Sequence, residues 1–225
     1  MKLEYLIFNV IVMTGPLIFG SIKKFYFMDR WKEVLISVVI IAIPFMIWDS
    51  LVTDKYWMFN PEYTIDFRLA NLPVEEWLFF FTIPFACLFT WEMIIRRSRD
   101  SIIGVGKILH YIAYILPILG IWLFWDGKQY TGLVLVFLSL GIFLDNLLNT
   151  DLILQKRFYL YLIFIIFFTL IFNGYLTSRP VVLYDEAYLS GFRIFTIPIE
   201  DFGYGISLLF MCTILYEKFR RKLRW

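Results

Sequence analysis

The chain of 225 residues contains one histidine and two cysteines. The single imidazole, His110, reads as a packing residue on a helix rather than a metal ligand. It also lies on the opposite side of the expected topology from the acidic motifs described below, which closes Ser–His–Asp catalysis. Cys87 and Cys212 both sit in apolar stretches, which excludes a disulfide framework and a thiolate metal site. No glycine-rich dinucleotide fingerprint occurs: "GVG" at 104–106 falls in a loop without a βαβ context. Charged residues make up only 18%, the net charge is +2, and no basic stripe exists outside helix-flanking loops, so nucleic acid is not an expected partner.

Apolar residues, in contrast, are abundant. The chain is 60% hydrophobic and 21% aromatic, with a mean hydropathy of +0.73, well beyond a soluble domain. It reads as an all-α integral membrane protein. A spanning helix needs roughly 20 mostly apolar residues, and seven such stretches occur, near 3–22, 33–52, 73–95, 107–125, 130–148, 157–176 and 198–217. Lys2 before an apolar run mimics a signal peptide, but the repeat described next implies that this first helix is retained. Lysine and arginine concentrate on one side of the seven-helix topology, fifteen against six. Loops rich in these residues stay in the cytoplasm, so the N-terminus is expected outside, the C-terminus inside, and the protein in the cell membrane. Seven helices in this orientation suggest a retinal protein. The last span, "PIEDFGYGISLLFMCTILYE", holds no mid-membrane lysine for a Schiff base, which argues against one.

A shift of 125 residues superposes 67–99 on 192–224 without a gap. Nine of 33 positions are identical, among them Arg68 with Arg193, Pro73 with Pro198, Glu75 with Glu200, Cys87 with Cys212 and Glu92 with Glu217. With one residue of slippage, "WDSLVT" (48–53) lies over "FNGYLT" (172–177), pairing Asp49 with Asn173. The expected organisation is two parallel three-helix repeats, 1–100 and 126–225, joined by a linker helix within 101–125. Such repeats share an orientation and a pseudo-twofold axis along the membrane normal.

Ionisable groups at membrane depth are functional candidates by default. Glu92 and Glu217 each precede an arginine by four residues, a favourable helix-surface pair, and read as anchors. Glu75, Glu76, Glu200 and Asp201 differ. Pro73 and Pro198 suit the first position of a helix, so a glutamate behind each can complement the positive helix end. One acid suffices for that, yet each repeat keeps two beside a large aromatic surface, with Arg68 or Arg193 five residues before the proline. Adjacent residues point about 100° apart on a helix, and Glu75 and Glu200 are the two expected to face the bundle centre. Asp49, beside Trp48, and Asn173 are expected to line the same cavity, with Glu76 and Asp201 at its edge. Clustered carboxyl groups near Trp48, Trp57, Trp77, Phe79, Phe80 and Tyr204 suit protonation of an alkene, because aromatic faces stabilise the resulting carbocation.

At these residues the chain resembles the membrane lycopene cyclases of the heterodimer or fused type. The resemblance rests on "PVEE" (73–76) and "PIED" (198–201), together with "WDSLVTDKYW" (48–57) and "GFRIFTIPIEDFGYG" (191–205), and it covers essentially the whole chain. It implies redox-neutral cyclisation of the end group of a linear C40 carotenoid, lycopene, to a β-ring, with no cofactor and no metal. Glu75, Glu200, Glu76 and Asp201 would be catalytic. Asp49, Trp48, Asn173, Arg68, Arg193, Trp77, Phe79 and Tyr204 would bind substrate. The lipid bilayer and other membrane enzymes of carotenoid synthesis would be the surroundings. Two alternatives stand beside it. "DNLLNTD" (145–151) faintly resembles an Asp-rich Mg²⁺–diphosphate site of a prenyltransferase; the other alternative is a non-catalytic carotenoid-binding protein.

Overall fold

Apolar runs that span lipid must satisfy their backbone polar groups internally, and they do so as helices. The computed structural model describes residues 2–22, 25, 27–65, 67–99 and 101–222. Lys23, Lys24, the Lys222 side chain and Arg224, all part of the charge asymmetry, lie outside the described residues. Seven long helices form: α1 (Glu4–Gly20), α2 (Trp31–Val52), α3 (Val74–Arg97), α4 (Val105–Trp125), α5 (Gln129–Leu147), α6 (Lys156–Ser178) and α7 (Ile199–Lys222). Helices α2 to α7 are long and apolar enough to cross a membrane, whereas α1, at 17 residues, is shorter than the expected span. The protein is a multi-pass membrane protein.

Helix α7 occupies the middle, against α2, α3, α5 and α6. Its central stretch is 72% buried, whereas that of α4 is 11% buried. Helix α4 leans on α5 through Gly120 and Gly132, where a Cβ on either would fall within 2.6 Å of the other's carbonyl oxygen. Near the C-terminal ends of α3 and α7 the two halves exchange hydrogen bonds. The Trp91 indole donates to Glu217 at 2.9 Å, and the Tyr216 hydroxyl donates to Glu92 at 2.8 Å. Both glutamates are buried, so they are interior groups rather than the surface anchors expected. Glu92 does pair with Arg96, at 2.6 Å. Glu217 instead takes Arg220 at 2.9 Å, because i+3 and i+4 share a helix face. Arg221 is left to donate to the carbonyls of Asn149 and Thr150.

The helical expectation omitted three short two-stranded ladders at the opposite end. Strand β1 (Trp57–Phe59), after α2, pairs antiparallel with β4 (Val182–Tyr184), after α6, with Trp57 opposite Tyr184. This ladder ties the two halves together as a roof. Strands β2 (Arg68–Leu69) and β3 (Leu72–Pro73) form a hairpin before α3, and β5 (Arg193–Ile194) and β6 (Ile197–Pro198) form its counterpart before α7. Their tight turns place Ala70, Asn71 and Phe195 at positive φ. Pro73 ends β3 in an extended conformation as the N-cap, so α3 begins one residue later than expected.

The "DNLLNTD" segment is structural. Asp145 is fully buried at the C-terminal end of α5. Its Oδ1 accepts from the Thr150 hydroxyl and the Leu152 N–H, and its Oδ2 accepts from the Ile153 N–H. Both carboxylate oxygens are therefore committed to holding the turn into the segment before α6. In Asp145→Asn an amide NH₂ faces one of these donors, leaving a buried group unpaired at a cost of about 1–3 kcal/mol. A lower thermal midpoint in detergent, with unchanged activity per folded molecule, is the expected outcome. Loss of an Mg²⁺-dependent product at unchanged stability would instead support a diphosphate site.

Candidate functional site

Beneath the β1–β4 roof lies a cavity between the two halves. Three carboxyl groups line it, Asp49 from α2, Glu76 from α3 and Asp201 from α7, together with Asn173 from α6. All three acids are at most 8% exposed, and they lie close enough to interact electrostatically.

Glu76 and Asp201, equivalent positions of the two repeats, each receive a tyrosine. The Tyr5 hydroxyl donates to Glu76 Oε2 at 2.5 Å, and the Tyr130 hydroxyl donates to Asp201 Oδ1 at 2.9 Å. Asp201 Oδ2 further accepts from the Tyr184 hydroxyl at 2.6 Å and from the Asn173 amide at 3.4 Å. Three groups donate to this one carboxyl group, an arrangement that favours its ionised form. Glu76 has a single donor on one oxygen, leaving the other available to hold a proton toward the cavity. Asp49 Oδ2 is buried without a hydrogen-bond partner.

Glu75 and Glu200 do not line the cavity, contrary to expectation. The Ile65 N–H donates to Glu75 Oε1 at 2.7 Å, and the Ser190 N–H donates to Glu200 Oε1 at 2.7 Å, ten residues upstream in both halves. Thr131 also donates to Glu200 at 2.6 Å. These glutamates pin the loops that lead into the hairpins. Adjacent residues point about 100° apart on a helix, and it is the second acid of each pair, Glu76 and Asp201, that lines the cavity.

The other expected residues divide. Phe79 and Tyr204 line the cavity with Asp49 and Asn173. Trp48 lies one layer behind, its ring 4.9 Å from Tyr204 and stacked 4.5 Å from Phe137. Trp77 donates its indole N–H to the Leu69 carbonyl at 3.0 Å and braces the first hairpin. Arg68 donates to the carbonyls of Asn71 and Phe59, and Arg193 to the Thr196 carbonyl and Glu186. Both arginines are consumed in stapling hairpins and do not line the cavity.

Sequence reasoning missed Tyr5, Tyr130 and Tyr184. A signal existed for two of them, because the 125-residue shift that pairs Glu76 with Asp201 also pairs Tyr5 with Tyr130. Tyr184 had none, since its place depends on the non-local pairing of β4 with β1. Trp57, Phe59, Tyr5 and Tyr130 complete an aromatic lining; Trp57 and Tyr130 have ring centroids 5.0 Å apart. A cavity walled by aromatic faces and entered by three carboxyl groups can protonate an apolar molecule and hold the cation formed.

A family model described as lycopene cyclase matches residues 3–94 and 127–219. The chain belongs to the lycopene cyclase family, and the match falls in two repeated regions, one per half. No curated protein and no solved structure shows a significant match.

Tyr184 lies in the roof, outside the helices, and its hydroxyl is held well above its ordinary value, first by burial and then by the neighbouring Asp201 carboxyl group. An unfolded tyrosine ionises near pH 10. With the folded value higher, the Tyr184–Asp201 contact contributes stability below about pH 10 that is lost as pH rises through the folded value. Ultraviolet titration of wild type minus Tyr184→Phe is therefore expected to show no tyrosinate signal near pH 10. A one-tyrosine step there would contradict this environment.

Proposed function

We propose that the protein is a lycopene β-cyclase, an intramolecular lyase acting on the end group of a linear C40 carotenoid in the cell membrane. The carrying observation is the meeting of Glu76 and Asp201, one from each half, in a single aromatic cavity. Glu76 donates its proton to carbon-2 of the terminal double bond, which leaves a tertiary cation at carbon-1. The electron pair of the 5,6 double bond closes the carbon-1 to carbon-6 bond and moves the cation to carbon-5. Asp201 removes the proton from carbon-6, and that bonding pair restores the 5,6 double bond of a β-ring. One proton enters and one leaves, no electrons are transferred, and the proton returns from Asp201 to Glu76 between turnovers. Tyr5, Tyr130, Tyr184 and Asn173 hold the two carboxyl groups in their different hydrogen-bonding states. Trp57, Phe79 and Tyr204 offer ring faces to the cation.

The proposed topology places the two halves in the same orientation about a pseudo-twofold axis, with the N-terminus and the acid cavity on the outer side. The reciprocal Trp91–Glu217 and Tyr216–Glu92 bonds support this, since a twofold contact returns each interaction with roles exchanged.

Expression in a lycopene-accumulating bacterial host is expected to yield monocyclic or bicyclic products. Unchanged lycopene, despite confirmed membrane expression, would refute the cyclase reading. Loss of a general acid or base typically costs 10²–10⁴-fold, so Glu76→Gln and Asp201→Asn should each lower turnover by at least about 100-fold. Glu75→Gln keeps an oxygen for the Ile65 N–H and should stay within about tenfold of wild type. The reverse ranking, with Glu75→Gln the more damaging, would return the proton-donor role to Glu75.

A further inference from the structure

A linear carotene is far longer than the acid cavity, so its unreacted chain must lie elsewhere on the protein or in lipid. A second cavity adjoins the first: Ile83, Thr169, Asn173 and Leu209 line both. It continues between α1, α3 and α6, away from the roof, and among the described residues no charged side chain lines it. The α3 wall of the two cavities together runs fourteen residues, from Glu76 to Thr90, or ~21 Å at 1.5 Å per residue. That is most of the roughly 30 Å hydrocarbon layer.

Small residues keep this groove open. Gly15 of α1 lines it, and a Cβ built there meets nothing within 4 Å; Ala86 faces it from α3. Phe168 and Phe172 of α6 stack at 5.6 Å along the opposite wall. On the roof side, α1 and α6 are clasped by Glu4 with Arg179 at 2.8 Å and by Phe8 stacked on Tyr175. Further in, the α1 lining residues Ile11 and Phe19 are 66% and 53% exposed, so the groove is open sideways.

We infer that this groove is the berth of the substrate's unreacted polyene, loaded from lipid between α1 and α6, with the chain standing along the membrane normal and its end group at Glu76 and Asp201. The occupant follows from three features together: continuity with the acid cavity, an uncharged aromatic wall suited to a flat conjugated chain, and an opening toward lipid rather than water. This rests on the cyclase reading and adds where the chain enters and lies. It also makes each turnover address one end, because the groove leads to a single acid cavity. A bicyclic product then requires release and re-entry in reverse.

The protein is reconstituted in lipid nanodiscs with lycopene. A photoreactive p-benzoylphenylalanine at Phe168, in a Glu76→Gln background, should crosslink the pigment; the same group at Ile163, 62% exposed on α6, should not. In the otherwise native enzyme, Gly15→Phe should raise KM for lycopene about tenfold, as overfilling a fitted space does, with kcat within about twofold. Ile18→Phe, 59% exposed on the same helix, should leave both unchanged. Equal labelling at 163 and 168, or an unchanged KM in Gly15→Phe, would overturn the berth. Undiminished cyclisation by Glu76→Gln would overturn the acid assignment alone, so the two ideas fail separately.

Discussion

A carboxyl group taken out of water must be met by donors or hold its proton, because an isolated buried charge costs several kcal/mol. The interior of this protein is organised by that demand. Glu76 and Asp201 each draw a tyrosine from a distant helix, Glu75 and Glu200 each draw a backbone N–H from the preceding loop, and Glu92 and Glu217 draw donors from the opposite half. Six buried acids thereby act as six fixed points. They join α1 to α3, α5 to α7 and α3 to α7, in a chain otherwise held by apolar packing that lipid can imitate.

The same constraint explains what could be read from the sequence. Helix positions were legible because length and apolarity alone decide them; α1 to α6 fall within about two residues of the expected bounds, and only α7 runs further, to Lys222. The acidic motifs were legible through duplication. Which acid of each pair faces inward was not, because adjacent residues differ by about 100° and the choice is fixed by tertiary partners, Tyr5 for Glu76 and the Ile65 N–H for Glu75, which a four-residue motif does not carry.

The roof was hidden for a different reason. Trp57 and Tyr184 pair across strands of three residues separated by most of the chain, and short apolar segments between helices carry no periodicity that announces such a partner. Arg68 and Arg193 misled for a related reason. An arginine near acids in sequence suggests a counter-ion for them, yet each guanidinium donates to a carbonyl of its own hairpin turn, and Arg193 pairs with Glu186 instead of a cavity acid. The cations therefore shape the mouth of the cavity without entering it.

The two halves diverge where divergence has chemical effect. The position beside Glu76 is Asp49, and its repeat counterpart beside Asp201 is Asn173. An asparagine can donate, and Asn173 does so to Asp201; an ionised aspartate cannot donate, and Asp49 leaves one buried oxygen without a partner. Asp201 is thus surrounded by donors, whereas Glu76 faces another acid. Together with Tyr184, whose repeat counterpart is Phe59, the carboxyl-to-amide difference surrounds one acid with donors and leaves the other beside a second carboxyl group. Such unequal surroundings suit the proposed division of proton giving and taking within one cavity.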